Sequence, residues 1–317
     1  MKIDPAILHA CWFLAGPTAC GKTAVSLELA QRLDAEIIAL DSMTLYRGMD
    51  IGTAKPSPSE RATVPHHLFD ILDPHEDFSV AEYVTAAERC CHDILRRGRA
   101  PLFVGGAGMY LRALLRGVFD GPAADLAYRA ELEVLAASKG HAALHDRLAS
   151  VDAQSAARLH PHDTRRVIRA LEVFHTTGRP ISEQQAESPH HESERPQQVF
   201  WLDRPRDELH QRINVRVVQM FAAGLIEEVR RLSEAPLGLG RTARQALGYK
   251  EVLDWMESGK GSTAAIIDTV QTRTRQFAKR QVTWFRNLVE CRPISLSGDE
   301  SPRDTVTRLL EAQRASN

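Results

Sequence analysis

The sequence predicts an α/β protein in which a parallel sheet is covered by helices and interrupted by a helical insertion. Strand-like and helix-like segments alternate through residues 1–120, and this alternation is typical of parallel strands joined by crossover helices. From about residue 122 to residue 196 the strand signal disappears, and Ala, Leu, Arg and Glu dominate. We therefore expect a core in two parts, 1–121 and 198–317, with a helical insertion domain at 122–197.

The strands are predicted where short apolar runs end at a glycine, an aspartate or a polar turn. They are Cys11–Ala15, Glu36–Leu40, Leu68–Leu72, Pro101–Val104 and Val199–Leu202. The run Ile7–Ala15 is short, carries His9 and leads directly into a glycine-rich loop. We interpret it as the first strand rather than the core of a signal peptide.

The helices are predicted from apolar residues that recur at helical spacing. They are Lys22–Leu33, Val80–Arg97, Gly108–Leu115, Ala127–Ser138, His141–Leu148, Thr164–Thr177, Asp207–Ala222, Leu225–Glu234 and a long helix from about Thr263 to Val289. The polar segment Ser188–Gln198 holds two prolines and is interpreted as a connector.

One loop fits a phosphate-binding pattern at every fixed position. It follows the first apolar run, precedes a helical pattern and reads G-x-x-x-x-G-K-T. Its residues are Gly16, Pro17, Thr18, Ala19, Cys20, Gly21, Lys22 and Thr23. The backbone N–H groups and Lys22 would hold phosphates, and the Thr23 hydroxyl is a candidate ligand for Mg²⁺. The core is therefore predicted to be P-loop NTPase-like.

Asp41 ends the second apolar run and should lie near this loop, because sites in open parallel sheets lie beyond the carboxyl ends of the strands. Three roles stay open for it: a Walker-B-like ligand of Mg²⁺, a base that accepts a proton from an acceptor molecule, or a turn cap. The segment 50–56 and the glycines Gly105 and Gly106 are further candidates for the same site.

Bulk composition excludes few functions. The 317 residues carry a formal net charge of −1, so any nucleic-acid surface must be local. In the long C-terminal helix, five positive and two negative side chains lie between Ala264 and Glu290. The five cysteines form no C-x-x-C pair, and no apolar run is long enough to span a membrane. We expect a reduced, cytoplasmic, monomeric protein that does not bind membranes.

Several ordered motifs resemble those of tRNA dimethylallyltransferases. Beyond the phosphate loop, they are Asp41-Ser42, Tyr46–Pro56, Pro65–Leu68, Asp70-Ile71, Asp73-Pro74, Arg166–Val173, Gln245–Glu251 and Lys279–Phe285. The resemblance implies transfer of a dimethylallyl group from dimethylallyl diphosphate to N6 of the adenosine 3′-adjacent to the anticodon, in tRNAs that read codons beginning with U. It implies that the loop holds an isoprenoid diphosphate, with Mg²⁺ as cofactor.

The resemblance also implies roles for individual residues. Asp41 would take the proton from the amine, Arg216 would contact the diphosphate, and Lys22 and Thr23 would assist the leaving group. Contacts with the tRNA anticodon stem-loop would come from Asp41, Ser42, Met43, Thr44, Ala107, Arg129, His162, Asp163, Thr164, Arg165, Arg166, Gln245, Gly248, Lys250, Arg275, Lys279 and Arg280. Ala107 departs from the threonine usual in the family, so one hydroxyl contact is missing, and we expect weaker substrate positioning or a compensating group rather than lost activity.

Two alternative functions share the phosphate loop. An isopentenyltransferase that acts on free adenine nucleotides would also use Asp41, but the helical insertion and the basic C-terminal helix favour a large RNA acceptor. A small-molecule kinase would need a mobile, arginine-rich lid over the phosphates, and the sequence places none convincingly.

Overall fold

The computed structural model describes residues 2–184, 194–298 and 300–315. Its sheet has six parallel strands in the order β3-β2-β4-β1-β5-β6. The strands are β1 (Trp12–Ala15), β2 (Ala35–Leu40), β3 (His66–His67), β4 (Ala100–Gly105), β5 (Val199–Asp203) and β6 (Arg292–Ser295). This arrangement confirms the predicted α/β class and parallel sheet.

Fourteen α-helices accompany the sheet within the described residues. They are α1 (Pro5–Ala10), α2 (Lys22–Leu33), α3 (Pro58–Thr63), α4 (Val80–Arg96), α5 (Gly108–Arg116), α6 (Leu126–Val151), α7 (Ala153–Arg158), α8 (Thr164–Thr177), α9 (Ile181–Gln184), α10 (Arg206–Ala222), α11 (Leu225–Ser233), α12 (Tyr249–Ser258), α13 (Thr263–Arg286) and α14 (Pro302–Arg314). Over the described part of the chain, no helix is both long and apolar enough to cross a membrane.

The strand order brings the functional loops to one edge of the sheet. β4 lies between β1 and β2, and all six residues of β2 are buried. Because the strands are parallel, the glycine-rich loop after β1, Asp41 after β2 and Gly106 after β4 all leave the sheet at its carboxyl edge. α2 packs on β1, β2 and β4, and α10 packs on α13.

Two strand predictions need correction, and one strand was missed. The segment Ile7–Ala15 does not form one strand, because Pro5–Ala10 is a helix. Asp4 caps this helix by accepting the Ala6 N–H at 2.8 Å, and Pro5 stands in its first turn, where proline fits. The third strand is His66–His67, not Leu68–Leu72. Leu68 and Asp70 have positive φ, which is incompatible with a strand, and Leu72 forms only an isolated bridge with Tyr46. The strand β6 was not predicted.

The chain divides into two compact units. One comprises Arg116–Pro189, and the other comprises Lys2–Leu115 with His190–Asn317. The first unit is helical and has its own apolar core, which includes Leu132, Leu144 and Val167. The two helices predicted at 127–138 and 141–148 correspond to the two halves of α6, which are separated at Gly140, where φ is 85° and the backbone is not helical. The domain boundaries at 121/122 and 197/198 stay a prediction, and the proposed connector lies partly outside the described residues.

Candidate active site

The glycine-rich loop between β1 and α2 has a backbone suited to an anion. Gly21 is the N-cap of α2 and has a φ of 108°, a left-handed conformation that glycine adopts without steric cost. The twelve residues of α2 follow directly, beginning at Lys22. The unpaired N–H groups and the positive dipole end of this helix therefore face the loop and favour a bound phosphate.

Two arginines hold the outer side of this loop. Arg212 Nε donates to the Ala19 carbonyl at 2.8 Å, and Arg204 Nε donates to the Cys20 carbonyl at 3.1 Å. In a trans peptide unit the C=O and the following N–H point in opposite directions. The Gly21 N–H is therefore turned away from Arg204, and the two arginines support the orientation in which loop N–H groups can meet an anion.

Lys22 and Arg216 place positive charge at the loop. Lys22 Nζ donates to the carbonyls of Gly16 and Pro17, both at 2.9 Å. Arg216 Nη1 lies 3.5 Å from Thr18 Oγ1. Burial lowers the pKa of Lys22, with a smaller effect of the same sign from Arg216, and burial also lowers the pKa of Arg216. An anion between these cations would favour their charged forms, so the site is electrostatically matched to a phosphate group.

Gln281 joins two of the loops at the sheet edge. This side chain of α13 is 5% exposed. Its Oε1 accepts the Thr18 N–H at 2.9 Å, and its Nε2 donates to the Gly106 carbonyl at 2.9 Å. A Cβ on Gly106 would overlap Nε2, so a larger residue here would displace the Gln281 amide from this position. Gln281 thus fixes the phosphate loop relative to the turn between β4 and α5.

Asp41 is half-buried at the end of β2. Its Oδ1 accepts the Met43 N–H at 2.8 Å, as in a turn cap. Burial raises the pKa of Asp41, and that effect outweighs the opposing hydrogen bond from Met43 and the charge of Lys22. A carboxylate with a raised pKa is a stronger base. The turn-cap role and the base role are therefore compatible in one side chain.

A cavity of about 990 Å³ collects these groups, and every residue that lines it belongs to the larger unit. Its volume is at the upper end of the range for small-molecule sites. The sequence-predicted residues that line it are Thr18, Ala19, Gly21, Lys22, Thr23, Asp41, Ser42, Met43, Thr44, Ala107, Arg216, Gln245, Gly248, Lys250 and Arg280. The structure therefore brings the phosphate loop, the candidate base and the segment near Gln245 together around one cavity.

Two family models match the chain. The model described as IPP transferase matches residues 44–288, and the model described as Isopentenyl transferase matches residues 9–67. A tRNA dimethylallyltransferase of Geobacter sulfurreducens is 48% identical over 275 residues, covering 86% of this chain and 88% of the relative. One from Geobacillus kaustophilus is 48% identical over 276 residues, covering 86% of each.

The chain belongs to the tRNA dimethylallyltransferase family. Solved structures agree with this assignment. A full-length tRNA isopentenylpyrophosphate transferase from Bacillus halodurans is 40% identical, has a TM-score of 0.67 and is matched over 96% of both chains. A eukaryotic dimethylallyltransferase, captured acting on tRNA, is 28% identical with a TM-score of 0.70. That match covers 90% of this chain and 73% of the other.

The basic side chains of α13 lie in different surroundings in this member of the dimethylallyltransferase family. Arg273 and Arg280 line the cavity. Lys279 is exposed outside the cavity lining. Arg275 Nη1 donates to Asn214 Oδ1 of α10 at 2.6 Å, so this guanidinium joins two helices. The proposed RNA contacts of Arg275, Lys279 and Arg280 stay predictions.

The predicted RNA contacts of the smaller unit also stay predictions, and several of these side chains have partners within the protein. Arg129 makes two hydrogen bonds, at 2.7 and 2.8 Å, to the fully buried carboxylate of Glu172. The other candidates lie around the start of α8. Asp163 is its N-cap, Thr164 Oγ1 lies 3.0 Å from His141 Nδ1, and Arg166 pairs with Asp163 at 3.1 Å. His162 and Arg165 are exposed there.

Two candidates in the segment 50–56 differ in role. Thr53 lines the cavity. Lys55 does not line it, because its Nζ is held by the Tyr46 carbonyl at 2.6 Å and by the carboxylates of Asp50 and Asp70 at 2.7 and 2.5 Å. Lys55 therefore stabilises the segment.

Sequence reasoning missed the site roles of Arg204 and Gln281. A polar residue on the apolar face of a predicted helix, as Gln281 is on α13, was the one available signal.

Proposed function

We propose that this protein transfers the dimethylallyl group from dimethylallyl diphosphate to N6 of the adenosine 3′-adjacent to the anticodon in tRNAs that read codons beginning with U. The product is N6-dimethylallyladenosine. The observation that carries the proposal is that one cavity is lined both by residues of the glycine-rich loop and by Asp41, a half-buried carboxylate with a raised pKa. A leaving-group site and a base thus face the same space.

The chemistry follows from these groups. The bond between the allylic carbon and the diphosphate oxygen breaks, and a bond forms between that carbon and the adenine N6. Negative charge grows on the diphosphate, where the loop N–H groups, Lys22 and Arg216 stabilise it. The amine loses one proton, which the Asp41 carboxylate accepts. That proton transfer accompanies or follows attack, because the exocyclic amine of adenine is not basic.

Mg²⁺ fits the oxygen donors at this site. The Thr23 side chain stands in the first turn of α2 and, like Asp41, lines the cavity. Mg²⁺ prefers oxygen ligands and commonly combines one or two protein oxygens with substrate phosphates and water. Thr23 would hold the ion, with Asp41 as a second candidate, and the ion would supply further charge neutralisation for the leaving diphosphate.

The acceptor is proposed to be the tRNA anticodon stem-loop, whose adenosine must turn out of the stack to bring N6 to the base. Arg273, Lys279 and Arg280 provide exposed positive charge on α13 for RNA phosphates. We also propose that the protein is cytoplasmic, since its five cysteines are free thiols and reducing compartments preserve them. We further propose that it acts as a monomer.

A second candidate is an isopentenyltransferase that acts on free adenine nucleotides. It is favoured by the Isopentenyl transferase model, which matches residues 9–67 and therefore the phosphate loop and Asp41. The tRNA acceptor remains the better proposal, because the IPP transferase model extends over residues 44–288 and the relatives matched over 86–88% of their length are named for tRNA.

Labelled dimethylallyl diphosphate, Mg²⁺ and either unmodified tRNA or AMP test these alternatives. We expect label in tRNA and none in AMP. Label in AMP but not in tRNA would support the free-nucleotide enzyme. Phosphate transfer from ATP, with neither acceptor prenylated, would support a kinase and contradict the proposal.

A further inference from the structure

Glu228 of α11 is a buried carboxylate with an uncommon set of partners. It is 6% exposed. It accepts the backbone N–H groups of Asp50, Ile51 and Gly52 at 2.9–3.2 Å, and the Tyr249 hydroxyl donates to its Oε1. Successive N–H groups of this kind form an anion-binding concavity. Here the anion is a side chain of the protein itself.

The same network fixes the neighbouring chain. A Cβ at Gly52 would overlap the Tyr249 ring, so the backbone lies directly against that side chain. Arg231 of α11 donates to the Gly48 carbonyl at 3.2 Å. Lys55 holds Tyr46 and Asp50 as described above. Contacts with α11 and α12, together with the hydrogen bonds of Lys55, therefore determine the backbone path of the segment 46–55.

Three walls of the cavity meet at Glu228. Gly52, the last of the three residues whose N–H groups Glu228 accepts, lines the cavity together with Thr53 and Ala54. Leu225, at the start of α11, also lines it. So does Gly248, which precedes Tyr249. The Glu228 carboxylate connects these walls without lining the cavity, and its hydrogen-bond partners do not include the phosphate loop.

The sheet order places these walls away from the diphosphate end. The phosphate loop follows β1, whereas Asp41 and the segment 46–55 follow β2, and β4 lies between those strands. With neighbouring strands about 4.8 Å apart, the two strand ends are separated by roughly 10 Å. An amine that displaces a diphosphate approaches the carbon from the side opposite to the leaving group. The acceptor therefore meets the walls that Glu228 holds.

We propose that Glu228 is a positioning residue for the acceptor RNA. It touches neither substrate, and it sets the RNA affinity by locking the segment 50–54 to α11 and to the start of α12. This inference rests on the proposed function, because it assumes an RNA acceptor. Beyond the proposed function, it identifies Glu228 as a residue on which the affinity for that RNA depends.

The test is Glu228→Gln, with Glu227→Gln as the matched control. In Glu228→Gln an amide NH₂ replaces one carboxylate oxygen and faces backbone N–H donors. Glu227 is the neighbouring residue on α11, its side chain is 69% exposed, and it makes a loose pair with Arg230 at 3.7 Å. We expect Glu228→Gln to raise the KM for an anticodon stem-loop RNA about tenfold and to leave the KM for dimethylallyl diphosphate within about twofold. Glu227→Gln should change neither.

A second variant separates positioning from folding. Tyr249→Phe removes one hydrogen bond to the carboxylate and keeps the three backbone N–H bonds, so we expect the RNA KM to rise about threefold with the diphosphate KM unchanged. If Glu228→Gln fails to fold, Tyr249→Phe decides the question. Equal increases in both KM values, or an unchanged RNA KM in a folded variant, would overturn the proposal.

Direct RNA binding keeps this inference distinct from the proposed reaction. The Kd of a fluorescent anticodon stem-loop, measured by anisotropy without dimethylallyl diphosphate, should be about tenfold weaker for Glu228→Gln than for Glu227→Gln. Equal Kd values would overturn the role of Glu228. A wild-type protein that binds the RNA but transfers no label to it would instead contradict the proposed function.

Discussion

Replacing Gln281 with leucine removes the side chain that ties α13 to the phosphate loop. Leucine has a similar size but no polar atoms, so the Thr18 N–H and the Gly106 carbonyl both lose their 2.9 Å partner. Each buried polar group left without a partner costs about 1–3 kcal/mol. Thr18 lines the cavity and can be solvated there. Together the two groups would cost about 2–6 kcal/mol. Because Thr18 can be solvated, we expect the free energy of unfolding to fall by about 2–4 kcal/mol, in the lower part of that range.

The same change should weaken binding of the diphosphate, because the loop loses the contact that orients Thr18. We expect the KM for dimethylallyl diphosphate to rise about tenfold, which corresponds to about 1.4 kcal/mol. Urea denaturation and initial-rate assays measure the two effects. Gln219→Leu, at an exposed position of α10, is the control and should alter neither. A Gln281→Leu protein with wild-type stability and a diphosphate KM within twofold of wild type would refute this reasoning.

Three further changes have defined outcomes. Burial raises the pKa of Asp41, so the ionised side chain lowers the stability of the folded protein above the ordinary aspartate pKa. Asp41→Asn should therefore raise the Tm at pH 7, and it should lower kcat at least 100-fold because the base is lost. An unchanged kcat in initial-rate assays would remove Asp41 from the base role. Hydrogen bonding from Arg97 lowers the pKa of Glu36 from 4.5 to about 2, so this side chain contributes stability above about pH 4.5 that is lost as pH falls toward 2. Glu36→Gln should lower the free energy of unfolding at pH 7 by about 3 kcal/mol, with less loss at pH 3; an equal loss at both pH values in urea titrations would argue against the ion pair. Ala107→Thr restores the hydroxyl usual in the family and should lower the KM for the acceptor RNA in the transfer assay. An unchanged RNA KM would indicate that another group compensates.

Local patterns predicted the elements that build the phosphate site. The bounds of α2, Lys22–Leu33, follow the expected range, because the fixed glycine and lysine positions mark where the helix begins. The helix Thr164–Thr177 also agrees, since Gly178 ends it in a left-handed conformation. The placement of Asp41 beside the loop followed from the rule for parallel strands and is confirmed by the shared cavity.

Long-range contacts could not be predicted in the same way. Gln281 is separated from Thr18 by 263 positions, and Glu228 from Ile51 by 177 positions. Nothing in the local pattern of either helix indicates which backbone groups those side chains meet. The error at Leu68–Leu72 has a different cause. Apolar character suggested a strand, but the backbone of Leu68 turns into the left-handed region, and tertiary context overrode propensity.

The most direct test of the central claim follows both products of one turnover. An anticodon stem-loop RNA with adenosine 3′ to the anticodon is compared with the same RNA carrying inosine there, which lacks the exocyclic amine. We predict one diphosphate released for each N6-dimethylallyladenosine found by mass spectrometry after nuclease digestion, and neither product from the inosine RNA. Diphosphate release without the modified nucleoside, or prenylation of the inosine RNA, would contradict the account.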